Sequence, residues 1–261
     1  MKKNITYIII LVGTLGLLWS CSKNLEKVAP TSSPDGFAYI KIAQYSPNFR
    51  QVVNGRDSFN VYVNGVKLNG AFLTYGSIFP ATTNLYAAVP PGSPQSIRIT
   101  VNGVTTPDSV TLVTFTKTLV AGSYYSFLIT DSLLTANESK QIFMEDKFSI
   151  TDTSHFTIRF AHTILNDTLG KNVDVYSKRL AANMFSNISP GTVTTFITQP
   201  YNLVSDTLIV RRAGTTFDLA TLLPANSIAF ARQRAFTLLY KGIPNVTTGT
   251  KGRSLVAFYN Q

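Results

Sequence analysis

Apolar and polar residues alternate with a period of two through much of the chain. Phe59, Val61 and Val63 alternate with Asn60, Tyr62 and Asn64, and Ile97, Ile99 and Val101 alternate with Arg98, Thr100 and Asn102. Successive side chains of an extended strand point to opposite faces, so each segment predicts a strand with one core face and one solvated face. Around these segments stand Asn54-Gly55, Asn64-Gly65, Asn69-Gly70 and Asn102-Gly103, dipeptides that supply the positive φ of tight hairpins. Later in the chain Ser189-Pro190-Gly191 and Ala213-Gly214 take that place. Only Ser132 to Lys140 reads as a helical turn. The chain is expected to be all-β, built of short antiparallel strands.

The pattern also repeats. Ile40-Lys41-Ile42-Ala43-Gln44 recurs as Ile158-Arg159-Phe160-Ala161-His162, and Phe59-Asn60-Val61-Tyr62 as Val173-Asp174-Val175-Tyr176. Ile97-Arg98-Ile99 then matches Leu208-Ile209-Val210, and Tyr125-Ser126-Phe127-Leu128 matches Phe236-Thr237-Leu238-Leu239. Order is kept, and the offset shrinks as loop deletions in the second copy would make it shrink. This predicts two tandem antiparallel β-sandwich domains of Ig-like type, over residues 37–146 and 155–261, joined by a polar linker at 147–154.

Four stations of the first copy carry a family resemblance: the lead strand, Asn60-Val61-Tyr62-Val63-Asn64-Gly65, Val89-Pro90-Pro91-Gly92, and Ala121-Gly122-Ser123-Tyr124-Tyr125-Ser126. Together they resemble the DUF4397 family of bacterial exported proteins. The second copy keeps the lead strand and Asp174-Val175-Tyr176 but has Pro200-Tyr201-Asn202 where the Pro-Gly turn belongs. The resemblance implies a fold and an exported location; it brings no catalytic residues with it.

The first 20 residues differ from the rest. Lys2 and Lys3 precede an uncharged apolar stretch from Ile5 to Leu18, which ends in Leu18-Trp19-Ser20-Cys21. About 20 apolar residues are needed to span a bilayer, and this shorter stretch reads better as a secretory signal. Its end resembles the lipobox of bacterial lipoproteins, which implies cleavage before Cys21 and acylation of its sulfur. Cys21 is the only cysteine, so it has no disulfide partner, and lipid attachment gives it a role. Residues 21–36, polar and Pro-rich, are expected to form a lipidated tether. Ser22 follows the cysteine where an inner-membrane retention signal would place Asp, which favours the outer membrane by resemblance to lipoprotein sorting. The sequence leaves the periplasmic and the extracellular face both open.

Composition narrows the function. The formal charge is +10, from 23 Lys and Arg against 13 Asp and Glu. The charge is uneven: from Cys21 to Ser154 ten cations face nine anions, but from His155 onward eleven face four. Arg211, Arg212, Arg232 and Arg234, with Lys241, Lys251 and Arg253 beyond them, are therefore candidates for anion binding. Arg232 and Arg234 would share one face if their segment were extended.

Groups for catalysis are few. The two histidines, His155 and His162, are expected to be structural or surface residues, and the one adjacent acidic pair, Glu145-Asp146, to be a strand end meeting solvent. No metal-ligand spacing, nucleophile elbow or phosphate-cradling glycine loop occurs, so no cofactor or metal and no enzymatic activity is expected. The many tyrosines, among them Tyr39, Tyr45, Tyr86 and Tyr125, are expected to cover core edges with their hydroxyls in water. The resulting expectation is a membrane-anchored, non-catalytic binding, adhesion or envelope scaffold module. The alternative is an accessory protein that binds glycan or lipopolysaccharide through its basic C-terminal domain. The partners expected are the membrane, through the lipid, and an anionic polysaccharide or another envelope protein; nucleic acid is not expected, because export removes it from reach.

Overall fold

The computed structural model describes residues 36–47, 58–81, 85–101, 111–130, 141–150, 152–202, 205–224 and 232–260. The expected signal, Cys21, the tether up to residue 35, the turns at 54–55 and 102–103 and the helical turn at 132–140 lie outside the described residues.

The described residues contain 18 strands and no helix. The first half supplies β1 (Ala38–Gln44), β2 (Ser58–Val63), β3 (Val66–Lys67), β4 (Leu73–Thr74), β5 (Ile78–Phe79), β6 (Ala87–Val89), β7 (Gly92–Val101), β8 (Thr111–Leu119), β9 (Tyr124–Ile129) and β10 (Ile142–Glu145). The second half supplies β11 (His155–His162), β12 (Val173–Ser177), β13 (Ala182–Ile188), β14 (Ile197–Pro200), β15 (Leu208–Arg212), β16 (Asp218–Leu222), β17 (Ala235–Lys241) and β18 (Ser254–Tyr259). Each half forms two sheets. In the first they run β10-β9-β1-β5, with β6 also on β1, and β3-β2-β7-β8, with β4 also on β2. In the second they run β14-β11-β17-β18 and β13-β12-β15-β16. The segments matched in the sequence occupy matching strands: β1 and β11, β2 and β12, β7 and β15, β9 and β17.

Pairing is antiparallel except at two places. β1 pairs with β9 in parallel, and β11 with β17 likewise. In both cases the chain crosses to the other sheet and returns before closing the pair, which supplies the long connection a parallel pair requires. The expected Asn64-Gly65 hairpin is present, with φ of 48° and 81° at its two residues. Asn69-Gly70 is a correction. Asn69 is buried, and its side chain accepts a hydrogen bond from Val61 N at 2.8 Å and donates to Ala71 O at 2.8 Å, so it braces β2 instead of turning a hairpin.

Three apolar layers alternate with the four sheets. Ile40, Ile42, Phe127 and Ile129 face Phe59, Val61, Ile97 and Phe115 across the first sandwich, and Phe160, Phe236 and Leu238 face Val175, Leu208 and Val210 across the second. The third layer joins the halves: Ala43, Tyr45, Leu128 and Ile142 of the first pack with Ala161, Leu239 and Phe258 of the second. Every residue of β1 and β17 is buried, because these strands lie between two other sheets. Residues 36–261 accordingly form one compact unit.

Strand directions define two ends of this unit. Lys251 Nζ reaches Pro47 O at 2.9 Å, and Lys41 Nζ reaches Tyr259 O at 2.6 Å, so β1, β9, β11 and β17 all run the same way. Their starting end, here the entry end, holds Gly36, the joint around 146–154, Tyr201 and the turn before β17. The far end holds Pro47, His162 and Lys241.

Candidate functional site

The most concentrated chemistry lies between the two inner sheets, near the entry end. Alternation along β1 sends Lys41 away from the first core and toward the second half, and alternation along β11 sends Arg159 back to meet it. Between them sits Asp146, just past the end of β10. Its carboxylate pairs with the Arg159 guanidinium, accepts from Ser126 Oγ at 2.6 Å and accepts from the Tyr86 hydroxyl at 2.7 Å. Arg159 Nε donates to Thr237 Oγ1 at 2.9 Å, whose hydroxyl donates to Asn260 Oδ1 at 2.6 Å, and Asn260 Nδ2 donates to Tyr86 Oη at 3.2 Å. The network closes on itself across the two halves. Asp146, Arg159 and Lys41 are 4%, 3% and 1% exposed.

Buried charges are tolerated only where partners replace water. Burial lowers the Lys41 ammonium to about 8, with Asp146 opposing that shift, and pushes the Tyr86 hydroxyl well up. Lys41 Nζ also lies 4.7 Å over the Tyr86 ring and 5.2 Å over that of Phe258, a cation–π setting. This corrects the solvent-facing reading of Glu145-Asp146. Neighbours do point to opposite sides, as expected, but only Glu145 faces water, where it pairs with Lys147 at 3.0 Å. The inner side meets another sheet, which a strand-end pattern gives no sign of.

A second buried cluster belongs to the second half alone. Asp167 pairs with Arg253, accepts from Tyr240 Oη at 2.9 Å and accepts from Gly170 N at 3.0 Å. His162 Nε2 lies 2.9 Å from Gly170 O, and burial holds its pKa below the ordinary value. His162 is therefore structural and fully buried, as is Gln44 at the matching place in β1. His155 pairs with Asp152 at 2.7 Å at the surface. Asp206 accepts from Ser177 Oγ and from Arg179 N at 2.9 Å, tying the end of β12 to the approach to β15.

The tyrosines also depart from expectation. Tyr45 is buried with its hydroxyl pKa raised by burial, and Tyr125 Oη accepts from Val120 N at 3.0 Å. Tyr39 stacks on Tyr124 at 4.9 Å. The Tyr86 hydroxyl points inward, into the polar seam, where it meets Asp146 and Asn260.

The basic residues do not converge. Arg211, on β15, pairs with Asp218 at 2.9 Å and lies over Tyr176, while Arg212 donates to Leu169 O at 3.0 Å at the far end. Arg232 and Arg234 lie at the entry end, Arg232 over the Tyr201 ring at 4.8 Å. They do not share a strand face, because both precede β17 and Gln233 between them has φ of 55°. The eight residues of β11 separate the two ends, roughly 25 Å at about 3.3 Å per residue. Arg253 is consumed by Asp167, Lys241 is buried beside Tyr45 and Tyr75, and Lys251 is bonded to Pro47 O. Among the described residues no group of three metal-ligating side chains comes together.

No model of a known protein family matches the chain, and neither does any curated protein. The seam and the end faces therefore have to be read from their own chemistry.

Proposed function

We propose that the chain is an exported bacterial lipoprotein, similar to the DUF4397 family, held at the outer membrane by lipid on Cys21, whose body is a non-catalytic binding, adhesion or scaffold module. The observation that carries the reading is the combination of an apolar N-terminal stretch ending at a sole cysteine with a body in which the buried acids, among the described residues, are committed to holding strands together. Asp146, Asp167, Asp174 and Asp206 each bind groups of their own fold. A doubly acylated cysteine is a stable anchor, at about 0.8 kcal/mol per buried CH₂. The alternative, an anionic glycan held by the basic C-terminal half, cannot use the four candidate arginines together, since Arg211 and Arg212 stand at the far end and Arg232 and Arg234 at the entry end.

The test is fractionation of cells that carry either the native chain or one whose residues 1–21 are replaced by a leader cleaved without acylation. The native chain should stay with membranes through a high-salt wash and the replaced one should be released. Equal retention of both after that wash would overturn the anchor. Protease shaving of intact cells then assigns the face.

A further inference from the structure

Exposed apolar and basic side chains stand at both ends of the body: Leu169 and Phe217 lie with Arg212 at the far end, and a larger set lies at the end where the chain enters. Phe37, next to the first described residue, is 42% exposed, and Val120 beside it is 56% exposed; Gly122 N donates to Phe37 O at 2.8 Å, which fixes the two segments together. In the second half Leu180 follows the end of β12 and Leu223 follows the end of β16, and both strands finish toward the same end, where Ser177, Leu208 and Leu222 are in register. These two leucines are 40% and 52% exposed.

Cations stand among them. Lys147 in the joint, Lys178 after β12, and Arg232 and Arg234 before β17 lie at this end, all of them exposed or half-exposed. The surface carboxylates of the joint, Glu145 and Asp152, are each bridged to a neighbour, Lys147 and His155. Apolar side chains with aromatic rings and cations at one end of a body is the composition of a surface that sits at a lipid headgroup layer.

We propose that the entry end docks on the surface of a bilayer containing anionic phospholipid, with Phe37, Val120, Leu180 and Leu223 reaching the headgroup boundary and Arg232 and Arg234 meeting phosphates. The occupant is indicated by where the undescribed chain attaches. Only 14 residues lie between Cys21 and Gly36, and they join the body at this end. If Cys21 is acylated, this is the end attached nearest the bilayer. The inference rests on the anchor reading for its orientation, but its test does not need the anchor.

Residues 36–261 hold all three cores and serve as a soluble probe without cysteine or leader. Co-sedimentation with vesicles of phosphatidylethanolamine and phosphatidylglycerol should exceed that with phosphatidylcholine vesicles and should fall with salt. Arg232→Gln with Arg234→Gln should weaken the binding roughly thirty-fold, and Phe37→Asp with Leu223→Asp should abolish it. Phe217→Ser with Arg212→Gln at the far end should leave it unchanged, thermal melts confirming that each variant is folded. Binding that is absent, or equally affected by variants at both ends, overturns the proposal, as does a concentration-dependent dimer that the Phe37 and Leu223 changes dissolve in place of vesicle binding. If acyl groups are found on Cys21 while the vesicle result is negative, only the docking surface fails; vesicle binding without acylation removes only the anchor.

Discussion

A single carboxylate ties polar groups of both halves together. Asp146 is surrounded by groups from β9, from β11 and from the segment before β6, so removing its charge leaves Arg159 buried without its partner. Asp146→Asn should cost about 3–5 kcal/mol in urea unfolding, whereas the double change Asp146→Leu with Arg159→Met should cost distinctly less, since both members of the ion pair go together and Arg159 is not left behind. A double variant as unstable as the single one would contradict this. Lys41 makes a pH-dependent contribution. Its folded pKa, about 8, lies below the ordinary lysine value of 10.5, so between these values the unfolded chain binds the proton and the folded chain does not. Stability relative to Lys41→Met should therefore rise as pH goes from about 8 toward 10; a flat difference over that window would refute the assignment. Neither Asp146 nor Lys41 could be recognised from the sequence. Lys41 and Arg159 alternate with apolar neighbours as solvent-facing residues do, and nothing local reveals that the second face of the strand meets another sheet.

The strands themselves were legible from period-two alternation. β2 and β7 form where it places them, although Asn60 and Thr100 on their polar faces are buried and not solvated, and Asn64-Gly65 turns where its chemistry requires. The parallel pairs β1·β9 and β11·β17 were not legible, because period-two alternation is the same for parallel and antiparallel strands and direction is set by connections in the other sheet. Asn69-Gly70 misled for a related reason: its asparagine meets the backbone of β2 and is held by that longer-range contact. The loop after β17 depends on two glycines, Gly242 and Gly252, the second lying where a Cβ would come 2.7 Å from Thr248 O. Gly242 has φ of 132°, and a Cβ there would come 2.5 Å from Gly252 O, a backbone atom that cannot swing aside. Gly242→Ala should destabilise by roughly 2–4 kcal/mol, read as a lowered urea midpoint with an unchanged slope. A neutral effect would mean that this loop is not held as described.

At the scale of the molecule, two sandwiches share a third core, and the shared layer includes the strands at the centre of each half. Heat or urea should therefore unfold residues 36–261 in one transition, and Leu239→Ala, which opens the layer between the halves, should lower that transition by about 2–5 kcal/mol without splitting it. Two separated transitions in the unaltered chain would contradict the shared core. The recurring order of segments was visible in the sequence, but the burial of one copy against the other was not, since the interface uses small and aliphatic residues such as Ala43, Ala161 and Leu239 that serve equally well inside a single sandwich.

The functional reading depends on what is attached to Cys21, and intact-mass and peptide analysis of the mature protein from the membrane fraction measures that directly. The account predicts a chain beginning at Cys21 whose N-terminal peptide carries the added mass of a diacylglyceryl group and releases fatty acid on base hydrolysis. A chain that retains residues 1–20, or that begins elsewhere with an unmodified thiol at Cys21, would contradict it.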